Sequence, residues 1–300
     1  MQKFSSTWRR PQFLLRAGEH LLPLGGNTAI MGIINVSPDS FSRDGMRAGK
    51  NLAQRAVRKA RQMEQEGAAL IDVGGESTRP GASPVSAPEE IRRVIPVVRA
   101  LTKALPLPIS VDTYKTDVAR QALDAGASII NNIMGVKPDR ALLKTIQNYG
   151  AAVVLMHMRG TPRTMQKNTD YRDIISEIID SLRKSIEICL EIGIKSDKII
   201  VDPGIGFGKT AEQNLEILKH LQKFTHLGSP VLIGTSRKSF IGKILGNAVG
   251  QRLLGTAATV CVGIMNGAHI VRVHDVREIR DAVRVTDAIL NADRPLKTKA

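Results

Sequence analysis

The stretch Val-Leu-Ile-Gly-Thr-Ser-Arg-Lys-Ser, residues 231–239, joins an apolar run to a cationic turn. The apolar run with its glycine is typical of a short, fully buried strand. It leads directly into Arg237 and Lys238, which are flanked by Ser236 and Ser239. Ligands of parallel α/β sheets and barrels bind beyond the carboxyl ends of the strands. The stretch therefore predicts either a strand end that holds an anionic or polar ligand, or a solvated basic turn before a helix.

An alternation of strands and helices extends over most of the chain. Eight apolar runs, each followed by a helical pattern, are residues 29–35, 69–73, 108–111, 128–131, 151–156, 198–201, 231–234 and 270–273. Eight such units predict a single (β/α)8 TIM barrel of the α/β class, and a doubly wound open sheet is the alternative. Among the helices, residues 171–192 form a long one, and residues 253–265 are apolar on almost every face, so we expect that helix to be largely buried, either within the chain or against another subunit.

The barrel is predicted to occupy residues 28–292. Residues 1–27 form an N-terminal extension with a small hairpin around Gly18, and residues 293–300 form a C-terminal tail. The first eighteen residues contain four cations, several hydroxyl residues and no acid, so an organellar transit peptide is the alternative interpretation of this extension.

Composition limits the class of protein. The 300 residues include 43 Lys and Arg against 28 Asp and Glu, a formal net charge of +15, and only 3% are aromatic. Because the cations are spread along the chain without interleaved aromatics, the charge favours phosphorylated substrates, and we expect no nucleic-acid partner. The two cysteines favour a reducing compartment, here the cytoplasm, and no apolar run approaches the ~20 residues of a membrane span.

Several common catalytic motifs are absent. Residues 202–210 resemble a P-loop, but Pro203 stands where the first glycine would be, and the glycines miss the dinucleotide-binding spacing. The chain has no G-x-S-x-G elbow, and its histidines lack the spacing of zinc ligands.

Each predicted strand ends at, or just before, a polar side chain. The residues at or just beyond the eight ends include Asn35, Asp72, Asp112, Asn131, His157, Asp202, Arg237 and His274. Singly, each has a structural explanation, since an Asp after a strand often caps a helix and His157 is well explained as a core histidine. Together they would lie at one end of one barrel, and this predicts a polar site there.

Three of these side chains suggest a flat, polar heterocycle as ligand. Asp112, Asn131 and Asp202 offer acceptors and one amide donor at separate strand ends. Such a set can bind the N–H and C=O edge of a heterocyclic ring.

A second group of side chains suggests a polyanion. Arg79, Arg272 and His274 could surround phosphate oxygens, for which the arginine fork is suited. The structural alternative for Arg272 is an ion pair with Asp275 that ties down a loop. Asn35 could be a neutral oxygen ligand of Mg²⁺ beside the anion. A heterocycle, a diphosphate and Mg²⁺ in one site imply a substitution in which diphosphate leaves.

Six motifs in one order resemble the dihydropteroate synthases. They are MGIINVSPDSFS (31–42), IDVGGESTRPGA (71–82), SVDT (110–113), DPGIGFGK (202–209), SRKS (236–239) and RVHDV (272–276), and the resemblance covers about residues 28–290. It implies a homodimeric (β/α)8 transferase of folate biosynthesis. This enzyme joins 6-hydroxymethyl-7,8-dihydropterin diphosphate to 4-aminobenzoate, releases diphosphate, requires Mg²⁺ and is competitively inhibited by sulfonamides.

The matched positions imply a role for each site residue. The pterin pocket would be formed by Asp112, Asn131, Met156, Asp202 and Lys238. The diphosphate would be contacted by Thr78, Arg79, Arg272 and His274, and Asn35 would bind Mg²⁺. The aminobenzoate site would be formed by Phe41, Pro80, Phe207, Arg237 and Ser239. Asp112, Asp202 and Lys238 are the catalytic candidates, since a buried carboxylate can stabilise the cationic pterin methylene that remains when diphosphate departs.

The sequence departs from the family at two places. Arg43 follows Ser42 where relatives usually have Asp, and Asn132 follows Asn131 where relatives usually have Asp. A methyltetrahydrofolate-dependent corrinoid methyltransferase on the same kind of barrel is the alternative function. It would share the Asp and Asn residues that bind the heterocycle, but it has no need of SRKS or of the Arg272 and His274 pair.

Overall fold

The computed structural model describes residues 9–36, 50–78, 81–134 and 139–292. The chain begins with a hairpin of two antiparallel strands, β1 (Phe13–Ala17) and β2 (His20–Leu24). Eight parallel strands follow: β3 (Ala29–Asn35), β4 (Leu70–Gly74), β5 (Ile109–Asp112), β6 (Ile129–Asn132), β7 (Ala152–Met156), β8 (Ile199–Asp202), β9 (Leu232–Ile233) and β10 (Ile270–Val273).

Helices alternate with these strands. The α-helices of the described ranges are α1 (Lys50–Gln65), α2 (Ala87–Ala104), α3 (Thr116–Asp124), α4 (Arg140–Asn148), α5 (Ile174–Ile192), α6 (Ala211–Lys219), α7 (Ser239–Leu245), α8 (Leu253–Met265) and α9 (Val276–Leu290). Short 3-10 helices occur at Met165–Lys167, Ser196–Lys198, Leu221–Leu227 and Val249–Gln251.

The eight parallel strands close into a barrel. Their order around the sheet is β8-β7-β6-β5-β4-β3-β10-β9, and a parallel bridge between Val201 and Val231 joins the two ends of this order. The Val201 amide also donates to the Pro230 carbonyl at 3.0 Å. The predicted (β/α)8 barrel is therefore confirmed, and the open-sheet alternative is wrong because an open sheet would leave both end strands unpaired.

Side chains alternate along the strands between the barrel interior and the surrounding helices. On β3, Met31 belongs to an inner apolar cluster, whereas Ile30 and Ile34 belong to the outer cluster that includes helix residues. The inner cluster also contains Leu15 and Leu24 of the hairpin. The hairpin thus covers the amino-terminal end of the barrel, and the carboxyl ends of the strands remain available for a site.

Two helices differ from the sequence prediction. We expected α8 to be largely buried, but Leu254, Val262 and Met265 are 82%, 47% and 43% exposed, so that expectation is wrong for the single chain. The long helix begins at Ile174, later than predicted, because the Asp173 carboxylate accepts a hydrogen bond from the Ser176 amide and caps it there. Within the described ranges, no helix is both long and apolar enough to cross a membrane.

Candidate active site at the carboxyl ends of the barrel strands

Strand register brings the predicted polar residues to one level of the barrel. Asp112 lies opposite Gly74 on one side and Asn131 on the other. Asn35 lies opposite the same Gly74. Around the barrel, the last residues of β7 and β8 likewise face each other, since Met156 pairs with Asp202. Five of the predicted site residues therefore occupy adjacent strand ends.

An arginine from the eighth barrel strand joins two of the carboxylates. Arg272 Nε donates to Asp72 Oδ2 at 2.6 Å, and Arg272 Nη2 donates to Asp112 Oδ2 at 3.1 Å. Asp72 is fully buried on β4 and also accepts from Ser110 Oγ at 2.6 Å and from Asn131 Nδ2 at 3.3 Å. One guanidinium is thus shared by two buried carboxylates in a connected polar network.

Burial raises the pKa of the two aspartates that we expected to bind the heterocycle. Burial raises the pKa of Asp112 to about 7, Arg272 opposes this shift, and the neighbouring carboxylates of Asp72, Glu90 and Glu76 add to it. Burial also raises the pKa of Asp202, against the opposing charge of Lys238. Asp112 is therefore poised to change its charge near neutral pH.

Lys238 points from the turn after β9 towards Asp202 and the loop that follows it. Its Nζ donates to the Ile205 carbonyl and lies 4.4 Å from the centre of the Phe207 ring. A Cβ on Gly206 would approach Lys238 Cδ to 2.7 Å, so the glycine makes room for the lysine. Burial lowers the pKa of Lys238 to about 8, while the charge of Asp202 counteracts this.

A buried lysine organises the loop of residues 202–209, although the sequence did not identify it as a site residue. Lys209 Nζ lies 2.9 Å from the Gly204 carbonyl, 2.8 Å from the Phe207 carbonyl and 3.2 Å from His157 Nδ1. The Asp202 carboxylate accepts the Gly204 amide at 2.7 Å. Lys209 therefore holds the backbone that carries Phe207, and His157, which is 3% exposed, has the buried position that we favoured for it.

The tetrad of residues 236–239 presents its side chains in different directions. Ser236 Oγ accepts the His274 amide at 3.2 Å and lies 2.9 Å from His274 Nδ1. The Ser236 hydroxyl keeps its own proton for Nδ1, and when it donates there the proton of a neutral imidazole lies on Nε2. Burial, with the nearby positive charge of Arg272, lowers the pKa of His274 to about 3, so it is neutral at physiological pH.

Arg237 differs from Lys238 in its surroundings. Its Nε donates to Asp275 Oδ2 at 3.0 Å, and its side chain is 41% exposed. Its backbone has a left-handed φ of 58°, held by an amide hydrogen bond of 3.0 Å to Thr256 Oγ1. Asp275, the alternative partner considered for Arg272, thus pairs with Arg237.

An apolar floor lies beside the polar groups. Met156 packs in a small buried cluster with Ile133, Met158 and Met165, against which Phe207 is partly buried. This cluster is separate from the two main cores and has the apolar character that a flat ring needs.

The surroundings of Asn35 fit an oxygen-ligated cation. A Cβ on Gly74 would lie 3.5 Å from Asn35 Oδ1 and 3.9 Å from Asp112 Oδ2, so the glycine leaves a space between two oxygen donors. The described residues contain no cluster of three His, Cys, Asp or Glu side chains that could hold a metal by themselves. Mg²⁺ typically takes one or two protein oxygens and fills its shell with substrate phosphate and water.

The remaining predicted residues lie at the rim or outside the described ranges. Thr78 follows β4 and is partly exposed, and Ser239 is the exposed first residue of α7. Phe41, Arg79 and Pro80 lie outside the described residues, as does the Arg43 departure. The Asn132 departure is buried: its Oδ1 accepts the Met134 amide at 2.9 Å, and its Nδ2 has no partner within the described part of the chain.

The residues that support the site left only a partial signal in the sequence. Asp72 lies inside the apolar run of β4, and a buried carboxylate there needs a donor, so its presence could have indicated a partner such as Arg272. No local pattern marks Lys209, nor Lys115, whose Nζ donates to both Glu76 and Glu90.

Known proteins match this chain over most of its length. A family model described as pterin binding enzyme matches residues 31–274. The dihydropteroate synthase of Synechocystis sp. is 46% identical over 276 residues, which cover 92% of this chain and 94% of that protein.

Solved structures agree with these sequence matches. Yersinia pestis dihydropteroate synthase, solved with a sulfonamide drug complex, superposes with a TM-score of 0.86 at 40% identity, covering 93% of this chain and 100% of that one. Xanthomonas albilineans dihydropteroate synthase with 4-aminobenzoic acid gives a TM-score of 0.85 at 39% identity, covering 93% and 98%. These findings do not favour the corrinoid methyltransferase alternative. The chain therefore belongs to the pterin-binding enzymes and, within them, to the dihydropteroate synthases.

Proposed function

We propose that this transferase joins 6-hydroxymethyl-7,8-dihydropterin diphosphate to 4-aminobenzoate through the strand-end site described above. The observation that carries the assignment of roles is the convergence of Asp112, Asn131, Asp202 and Lys238 on one end of the barrel, beside the apolar floor of Met156. The complex of the Xanthomonas albilineans relative with 4-aminobenzoic acid supports 4-aminobenzoate as the second substrate.

The carboxylates and the lysine bind the pterin. Asp112 and Asp202 accept the ring N–H groups, Asn131 offers an amide, and Lys238 donates to a ring acceptor. The ring lies against Met156, and Phe207 separates this pocket from the aminobenzoate site. Arg237, Ser239 and Phe207, together with Phe41 and Pro80, form the aminobenzoate site in this proposal.

The diphosphate departs towards a cationic side of the site. Arg272 uses Nε and Nη2 for Asp72 and Asp112, and no hydrogen bond joins Nη1 to the described residues, so Nη1 can face the leaving group. His274 presents its Nε2–H, and Thr78 and Arg79 complete the anion site. Asn35 would hold Mg²⁺ in the space beside Gly74, where the ion, when bound, neutralises phosphate charge.

The chemistry needs no nucleophilic side chain. The bond between the pterin methylene carbon and the diphosphate oxygen breaks, and the electron pair leaves with diphosphate. The ionised carboxylates of Asp112 and Asp202 stabilise the cationic methylene. The aniline nitrogen of 4-aminobenzoate then forms the new C–N bond and releases a proton to water.

The experiment that tests this function measures diphosphate release from pterin diphosphate, with and without 4-aminobenzoate and Mg²⁺. We expect release coupled to formation of 7,8-dihydropteroate, dependent on Mg²⁺ and lost in Asp202→Asn. Sulfonamides should compete with 4-aminobenzoate, and the sulfonamide complex of the Yersinia pestis relative supports this. Release that does not depend on 4-aminobenzoate, with no dihydropteroate formed, would contradict the proposal.

Two further properties belong to the same proposal. A homodimer is supported by the exposed apolar residues of α8 and α9, namely Leu254, Val262, Met265, Val285 and Ile289. A cytoplasmic location is supported by the two free cysteines, Cys189 and Cys261.

A further inference from the structure

Behind the wall of the site, one lysine lies between two carboxylates. Lys115 Nζ donates to Glu76 Oε2 and to Glu90 Oε2. The side chains are little exposed, at 16% for Lys115, 7% for Glu76 and 1% for Glu90. Tyr114 reinforces the contact, since its hydroxyl donates to Glu76 Oε1 at 3.1 Å. We refer to Glu76, Glu90 and Lys115 as the lysine clamp.

The three members of the clamp come from different elements. Glu76 lies two residues after β4 and two residues before Thr78. Glu90 lies in the first turn of α2, and Lys115 lies between β5 and α3. Asp112, the last residue of β5, is only three residues before Lys115. The clamp therefore connects the loop that leads to Thr78, Arg79 and Pro80 with the strand end that carries Asp112.

The loop after β4 is also fixed to α2 by close packing. A Cβ on Gly75 would lie 2.5 Å from Val94 Cγ2 and 3.0 Å from Glu90 Cγ, so this position tolerates no side chain. Arg93 Nη1 donates to the Gly75 carbonyl at 3.3 Å. Gly75 and Glu76, the first residues of the loop, are thus held by α2 on one side and by Lys115 on the other.

The clamp carries more negative than positive charge. One ammonium serves two carboxylates, and Glu90 Oε1 is buried without a partner among the described residues. The charges of Glu90 and Glu76 both contribute to the raised pKa of Asp112. Loss of the Lys115 ammonium would therefore leave two little-exposed carboxylates of different elements without the cation that they share.

We propose that Lys115 is a positioning residue of the reaction, which holds the start of the loop after β4 against α2 and the segment after β5. This inference rests on the proposed function. Lys115 acts through the backbone from Glu76 to Thr78, and in this proposal it does not itself bind either substrate.

The test relies on removing the charge of the clamp and then restoring it. Lys115→Met removes the ammonium and leaves two carboxylates uncompensated, whereas Lys115→Arg keeps a cation at this position. Glu76→Gln weakens the contact with the loop after β4 and keeps the Lys115–Glu90 pair.

The measurements are kcat, KM for each substrate and the melting temperature of the full chain. For Lys115→Met we expect kcat/KM at pH 7 to fall about tenfold or more, mainly through kcat, because the loop is no longer held in its productive position. Glu76→Gln should show a smaller fall in the same direction. Lys115→Arg should restore most of the activity, and Arg183→Met, at the exposed Arg183–Asp180 pair, should change neither kcat nor KM.

A lower melting temperature with kcat and both KM values near those of the wild type, measured where the variants are folded, would show that the clamp only stabilises the fold and would overturn the proposal. If Lys115→Met does not fold, Glu76→Gln decides by the same comparison. Failure of the wild-type chain to form dihydropteroate would instead reject the proposed function, so the two failures are distinguishable.

Discussion

At the scale of single residues, Asp112 is a group whose charge is sensitive to pH near neutrality. Its pKa is raised to about 7, mainly by burial, and its carboxylate shares the Arg272 guanidinium with Asp72. A group whose folded pKa lies above its unfolded value stabilises the fold fully below the unfolded value of 3.8, and that contribution is lost as the pH rises through about 7. The protein thus holds Asp112 ionised at a cost in stability, which is typical of a functional carboxylate.

The pH dependence of the reaction should show the ionisation of Asp112. If the ionised Asp112 stabilises the cationic methylene, kcat/KM should rise about tenfold per pH unit below pH 7 and level off above it. Asp112→Asn should remove the rising limb and most of the activity. The measurement is a pH profile of dihydropteroate formation. A flat profile between pH 5.5 and 8, or an unchanged limb in the variant, would show that another group is responsible.

Arg272 has a structural part, because its fork reaches the carboxylates of Asp72 and Asp112, and in the proposed function it also faces the diphosphate. Arg272→Lys keeps the charge but cannot bond Asp72 and Asp112 together. We expect turnover to fall about 10- to 100-fold, since leaving-group charge grows in the transition state, and the unfolding free energy to fall by about 1–3 kcal/mol, since one carboxylate loses a donor.

Steady-state kinetics and urea denaturation of the same preparation check this prediction. Arg183→Lys, at the exposed pair with Asp180, is the matched control and should change neither quantity appreciably. Near-normal turnover with a large loss of stability would mean that Arg272 only supports the barrel and does not face the diphosphate.

Among the secondary-structure elements, the hairpin and the strand-end loops serve opposite ends of the barrel. Leu15 of β1 is 1% exposed and belongs to the inner cluster with Met31 and Leu70. The imidazole of His269, just before β10, bonds the Val231 amide through Nδ1 at 3.0 Å and the Pro11 carbonyl through Nε2 at 3.0 Å. The segment before β1 is thus tied to the start of the last two barrel strands.

Leu15→Ala should therefore destabilise the barrel and spare its chemistry. The lost apolar contacts and the cavity should cost about 2–4 kcal/mol of unfolding free energy, measured by urea denaturation. At a temperature where the variant is folded, kcat should stay within about twofold, because the hairpin lies at the end away from the site. Leu14→Ala is the control, since Leu14 is 47% exposed on the same strand. Equal losses for the two variants would contradict this packing of the hairpin.

For the molecule as a whole, the single chain leaves an apolar face on two neighbouring helices. On α8, Leu254 is 82% exposed, and on α9, Val285 and Ile289 are 61% and 60% exposed. Exposed apolar residues that adjoin one another are typical of interfaces between subunits. The pattern of α8 suggested burial that the isolated chain does not provide, and the proposed dimer would provide it.

We expect the wild-type protein to sediment as a dimer of 32.6 kDa chains. Leu254→Glu should shift it towards monomer, because a charge at a buried interface is desolvated without a partner. Leu190→Glu, which changes an exposed leucine on α5, is the control. A wild-type monomer at micromolar concentration in analytical ultracentrifugation would reject the dimer.

Local patterns in the sequence were sufficient to predict the repeating strand–helix unit and the polar residue at each strand end. Apolar runs and helical stripes located the barrel strands to within a residue at each end, for example Ala29–Asn35 and Ile270–Val273. The seventh barrel strand, Leu232–Ile233, is shorter than predicted. Because parallel strands carry their carboxyl ends to one side, the same patterns also placed Asn35, Asp112 and Asp202 in one site.

Which charges meet depends instead on how the chain folds. Arg272 lies 200 residues from Asp72 in sequence and 160 from Asp112, yet barrel closure brings its fork to both. Lys115 reaches Glu76 and Glu90 from another element. Lys209 is buried, although most lysines in proteins are exposed. Buried charges must find partners across the fold, and the choice of partner depends on strand register and loop packing, which no local pattern of the chain specifies.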